Sequence, residues 1–180
     1  MGNTASPNFQ AQAGFNTNRE PYLEFTVSNT NVDLGTLTAA STKTATSSFS
    51  VKTYLAHGYV VVNASDPPTN GAYLMQALSL PSPPLVGIEQ FGINLVANTD
   101  PITFGANPTH TPDATFGFGQ VGLDYSNQDL YKYQKGDVVA MSSQSSSYTN
   151  YTVSYIFNVS NVTPGGSYIF RHVLVATSTF

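Results

Sequence analysis

The sequence predicts an all-β protein, an antiparallel β-sandwich of Ig-like or jelly-roll type with roughly eight to ten strands and little or no helix. Three observations carry that prediction. Apolar and polar residues alternate at period two along several segments. Clusters of Gly, Pro and Asn fall between those segments. No stretch sustains the 3.6-residue apolar period of a helix packed on a core.

The alternation begins at Leu23, Phe25 and Val27, set against Glu24, Thr26 and Ser28. It resumes at Phe49, Val51, Thr53 and Leu55, then at Phe91, Ile93 and Leu95. Its longest run is Tyr151, Val153, Tyr155, Phe157 and Val159, interrupted only by Ile156. Successive strand side chains face opposite sides of a sheet, so each run reads as a strand with one face on a core. Residues 58–62 and 168–175 are apolar on both faces and read as central strands. Asn70-Gly71 suits a type I′ turn, and Lys135-Gly136-Asp137 reads as a hairpin joining residues 130–133 to 138–141. Pro81-Ser82-Pro83-Pro84 cannot sit in a central strand and reads as a crossing between sheets. Residues 98–120 read as a long loop carrying His110 and Asp113.

The organisation expected is an N-terminal arm over residues 1–20 and one domain over 21–180. Within the arm, Phe9, Ala11, Ala13 and Phe15 alternate with Gln10, Gln12 and Gly14. The segment has three readings: a flexible leader, a further strand of the parent sheet, or a strand donated to a neighbouring subunit. The opening Met1 to Ser6 reads as an initiator placed on a mature sequence whose secretion signal was removed.

Composition narrows the function. Charged residues make up only 9% of the 180, against roughly 25% in ordinary soluble proteins. Ser, Thr and Asn supply the polarity, as suits an extracellular surface. A net charge of −4 with six Lys and Arg gives no footprint for nucleic acid, and no apolar run approaches a membrane span. There is no Cys, which excludes disulfides, thiolate metal sites and Cys nucleophiles.

No catalytic constellation is legible, and an enzyme is not expected. His57, His110 and His172 form no paired metal motif, and His172 reads as a satisfied core or edge residue. No G-x-S-x-G elbow is present. Asp66, Asp100, Asp113, Asp124 and Asp129 fall in or near expected loops, where calcium finds oxygen ligands, but no Asp-x-Asp-x-Asp spacing supports a dedicated site. No cofactor is therefore expected. Lys43 or Lys52 could join an Asn in an isopeptide crosslink, although Lys52 lies on the polar side of its strand and reads as an ordinary exposed amine. Four N-x-S/T matches, at Asn63, Asn150, Asn158 and Asn161, are expected by chance in this composition. Eleven Tyr and eleven Phe could stack on sugars, with Tyr125, Tyr131, Tyr133 and Tyr148 the exposed candidates.

The order of Val32-Asp33-Leu34-Gly35-Thr36-Leu37, Glu89-Gln90-Phe91-Gly92-Ile93-Asn94-Leu95, residues 151–160 and Thr163-Pro164-Gly165-Gly166-Ser167-Tyr168 resembles a family of surface proteins. These are secreted, uncharacterised proteins of candidate-phyla (Patescibacteria, Saccharibacteria-like) bacteria, and the likeness runs over nearly all of residues 22–180. More distantly, the chain is similar to Ig-like wall-associated domains. The resemblance implies export and a bacterial cell-surface location and offers no catalytic residues. The function expected is a structural or adhesive surface subunit, a fibre or sheet protein that self-associates through its arm or engages another surface protein. The alternatives are a glycan-binding module and a jelly-roll viral coat protein.

Overall fold

The structure is a computed structural model and describes residues 22–28, 31, 33–54, 56–111 and 119–180. The expected arm, with Phe9, Ala11, Ala13 and Phe15, lies outside the described residues, as does Asp113.

Two antiparallel sheets pack face to face, as the alternation predicts. The first holds β1 (Tyr22–Ser28), β2 (Lys43–Tyr54), β10 (Ser146–Asn158) and β6 (Gln90–Asn94) in that order, and β7 (Thr109–Thr111) pairs with β10. The second runs β11 (Leu174–Thr179), β3 (Gly58–Asn63), β9 (Val138–Ser142) and β8 (Gln120–Val121). A small hairpin of β4 (Thr69–Asn70) and β5 (Tyr73–Leu74) stands apart. The type I′ turn expected of Asn70-Gly71 is not formed: Asn70 pairs with Tyr73, so Gly71 and Ala72 are the central residues, and positive φ at Gly71 alone is the pattern of a type II′ turn. The helical content among the described residues is one 3-10 turn at Leu123–Tyr125.

The core lies between the sheets. From the first sheet Phe49, Val51, Tyr151 and Val153 point inward, and from the second Tyr59, Val61 and Val139 meet them. Phe49 stacks on Tyr151 with ring centroids 4.9 Å apart. The Tyr59 and Tyr151 hydroxyls meet across the core at 2.8 Å, so each buried phenol has a partner. Gly119 passes so close to both hydroxyls that a side chain there would overlap them. A second aromatic cluster centres on Phe91, whose ring lies 4.7 to 5.0 Å from those of Phe170, Tyr133 and Phe157.

Three further expectations need correction. Residues 130–133 do not pair with β9. Tyr131 bridges Ser82 and Lys132 bridges Ile93, while β9 pairs with β3 and β8. The turn at Gly136 (φ 93°) exists, but its two arms enter different layers. Residues 168–175 do not form a central strand either. The strand begins at Leu174 and lies at a sheet edge, with Ile169, Val173 and Val175 exposed. The apolar outer face had suggested burial on both sides; the edge position leaves that face in solvent. The stretch 98–120 is no plain loop, since it contributes β7 and β8.

Candidate functional site: a cleft where the sheets part

The edge strands β1 and β11 lie beside each other at one end of the sandwich. Tyr22 is paired with Tyr54 and Thr179 with Gly58, so both strands meet near the turn joining β2 to β3. Away from that turn, a cleft of about 1080 Å³ opens between Val27, residues 33–39, the inner face of β2 and β10, and residues 160–172. Its floor is Ala45 and Ser47 of β2 with Tyr155, Phe157 and Val159. Tyr168, Phe170, Arg171 and His172 form a wall.

One hydrogen-bond chain crosses this region from sheet to sheet. His172 Nε2 lies 2.7 Å from Asn63 Oδ1 and Nδ1 lies 2.9 Å from the Tyr155 hydroxyl. Tyr155 in turn meets Ser47 Oγ at 2.7 Å. An amide oxygen only accepts, so Nε2 carries the proton and Nδ1 accepts from Tyr155. Burial lowers the His172 pKa to about 4 and raises that of Tyr155 to about 12. A base so weak holds few protons at neutral pH, so the chain acts as a strut between β2, β10 and β3.

The strut gives a pH dependence. The folded pKa of His172 lies below the ordinary value near 6.5, so the unfolded chain takes up the proton first. Its contribution is present above about pH 6.5 and declines as pH falls toward 4, by roughly 1–3 kcal/mol in total. Urea unfolding midpoints at pH 7 and pH 4.5 are expected to differ more for the natural chain than for His172→Gln. Equal pH slopes in the two proteins would rule the strut out.

The four tyrosines expected to be exposed do not make a binding face. Tyr125, Tyr131 and Tyr133 are 1%, 0% and 2% exposed. Tyr131 donates to Asp100 O, Tyr125 to Asp137 and Tyr133 to Ser65 O, so their polar tips are satisfied inside the fold. The segment expected to form a hairpin with β9 instead bridges Ser82 and Ile93, which covers these rings. Tyr148 is half-buried on the outer face of the first sheet. Its hydrogen bond with Glu24 comes first among the causes raising its pKa to about 12. Lys52 lies over its ring at 4.9 Å and faces Glu24 across β1 and β2, on the polar register the sequence suggested.

A buried ion cluster was missed. Lys132, with 9% of its side chain exposed, lies 2.7 Å from both Asp124 Oδ2 and Asp137 Oδ2. Burial alone would lower its pKa, but the two carboxylates outweigh that and raise it. Asp66 pairs with Lys135 at 3.0 Å, and Asp129 accepts the backbone N–H groups of Thr99 and Asp100. Among the described residues, no group of three or more His, Asp and Glu is gathered as a metal site. His110 sits exposed on β7. Asn63 and Asn158 are buried, which closes two of the four N-x-S/T matches in the folded chain.

Fold and geometry together define an antiparallel all-β sandwich with an open cleft at one edge. No family model, curated protein or solved structure matches the chain.

Proposed function

We propose that this chain is a secreted structural or adhesive subunit of a bacterial cell surface, one that self-assembles by strand addition through its N-terminal segment. The observation that supports this reading most is the pair of sheet edges formed by β1 and β11. Among the described residues, neither strand has a partner on its outer side. Edge strands are ordinarily protected by inward charges, Lys, Pro or bulges, because an open edge templates further pairing. β11, Leu-Val-Ala-Thr-Ser-Thr, carries no charge, and β1 carries only Glu24. Tyr22, Val27, Val175 and the terminal Phe180 add exposed apolar surface along the same side. A surface whose polarity comes from hydroxyls and amides tolerates close packing of copies without like-charge repulsion.

The deletion of residues 1–18 is expected to abolish polymers and leave a folded monomer, read by electron microscopy and circular dichroism. Polymers that survive the deletion would exclude the segment as the linking element. Closed shells in the same images would favour a coat protein.

A further inference from the structure

We infer that Asn70 is a site of spontaneous covalent conversion to aspartate and isoaspartate, and that the conversion releases the β4–β5 hairpin from the turn at Gly165 and Gly166.

The reacting groups are neighbours in the chain. Of the asparagines, Asn70 alone precedes glycine, so no side chain shields the backbone nitrogen that follows it. Gly71 is the first central residue of the hairpin turn, and a Cβ added there would meet nothing within 4 Å. Its N–H lies outside the ladder that pairs Asn70 with Tyr73 and, among the described residues, bonds no acceptor. A backbone donor without a protein partner must be satisfied by water, and Gly71 is exposed to it.

The step needs water and nothing else. Hydroxide takes the proton from the Gly71 nitrogen, which attacks Asn70 Cγ. A C–N bond forms, the Cγ–Nδ2 bond breaks, and the amide leaves as ammonia with a proton from water. Water then opens the resulting cyclic imide at one of its two carbonyls. Breaking the new bond gives aspartate; breaking the original peptide bond gives isoaspartate, whose main chain runs through Cβ and Cγ. The balance is one water in and one ammonia out.

The same carboxamide is a latch. Asn70 Nδ2 donates to Gly165 O at 3.1 Å, and beside it Thr69 and Ile169 exchange backbone hydrogen bonds of 2.9 Å. Gly166 lies so close that a Cβ on it would overlap the Asn70 carboxamide. The other arm of the hairpin is held separately: the Tyr73 hydroxyl and the Gln76 N–H each donate to Glu89 at 2.8 Å. Conversion therefore acts on the β4 arm. An aspartate oxygen in place of Nδ2 sets an acceptor against the Gly165 carbonyl with no proton between them. Isoaspartate adds a methylene to the main chain at the mouth of a two-residue turn, which shifts the pairing of Asn70 with Tyr73. Ring closure in turn requires the carboxamide to leave Gly165, so the opening of the latch sets the rate.

The test holds full-length protein at mildly alkaline pH, maps the asparagines by mass spectrometry over time, and follows hydrogen exchange on the aged sample. Asn70 is expected to convert before any other described asparagine, with isoaspartate among the products. The Thr69 and Ile169 amides are expected to lose protection in the converted chain, and Asn70→Asp to lose it without ageing. Gly166→Ala, which drives the carboxamide off its acceptor, is expected to convert roughly three-fold faster or more, the population change that one lost hydrogen bond gives. An Asn70 that stays intact throughout, or while another described asparagine converts, overturns the site. Unchanged protection in the converted chain, or an unchanged rate in Gly166→Ala, overturns the latch. If Gly166→Ala does not fold, a free peptide of residues 66–76 supplies the unlatched rate, and equal rates in peptide and folded chain overturn the latch.

Discussion

Replacing Phe91 by alanine is expected to lower the unfolding free energy by about 3–5 kcal/mol, the range for emptying a fully buried aromatic site. Phe91 is completely buried and is the ring that Phe157 from β10, Tyr133 from the segment before the Gly136 turn and Phe170 from the cleft wall all touch. Those three cannot collapse into the vacancy together. Tyr133 is held by Ser65 and Phe170 by its stacking on His172. Against a typical stability of about 5–15 kcal/mol, such a loss leaves a marginal protein. Urea denaturation is expected to show the midpoint falling with little change in slope. A loss under 1 kcal/mol would mean that this second cluster is not the packed centre described above.

The second large effect concerns charge. Lys132→Met is expected to cost about 1–3 kcal/mol at neutral pH, because Asp137 and Asp124 are left facing each other without their cation, partly screened by the solvent that reaches both carboxylates. Asp137 is the more enclosed of the two, and it also accepts the Tyr125 hydroxyl at 2.8 Å. The double change Lys132→Met with Asp137→Asn is expected to recover part of the loss, since it removes the stranded charge with its partner. Chemical denaturation of the single and double variants at pH 7 checks both statements. A single change that costs nothing, or a double change that costs more, would show that the cluster does not act as a buried ion pair.

How far the chain could be read beforehand follows from which faces carry the signal. Along β10, Tyr151, Val153, Tyr155 and Phe157 alternate and do enter the core. The same strand also buries Ser154, Ile156 and Asn158: β2, β6 and β7 flank it, and Val96 and Gly105 lie against the Ser154 hydroxyl. Polar residues there looked solvated, while in the fold Asn158 bonds Gln90 at 3.0 Å and Asn94 trades amide bonds with Asn98. Period two cannot distinguish a polar residue facing water from one facing another amide. Lys132 was illegible for a related reason: its partners come from Asp124 and Asp137, on either side of an irregular segment whose pairing is with Ser82 and Ile93. The cleft left one trace in the sequence. Within the alternating register of β2, Ala45 and Ser47 stand where Phe49 and Val51 stand farther on, and small inward residues beside a long strand mark a gap in packing.

Assembly is the claim on which the functional reading stands, and negative-stain electron microscopy of the purified chain over a concentration series tests it most directly. The account expects regular fibres or sheets that lengthen with concentration. Uniform single particles at every concentration would contradict it.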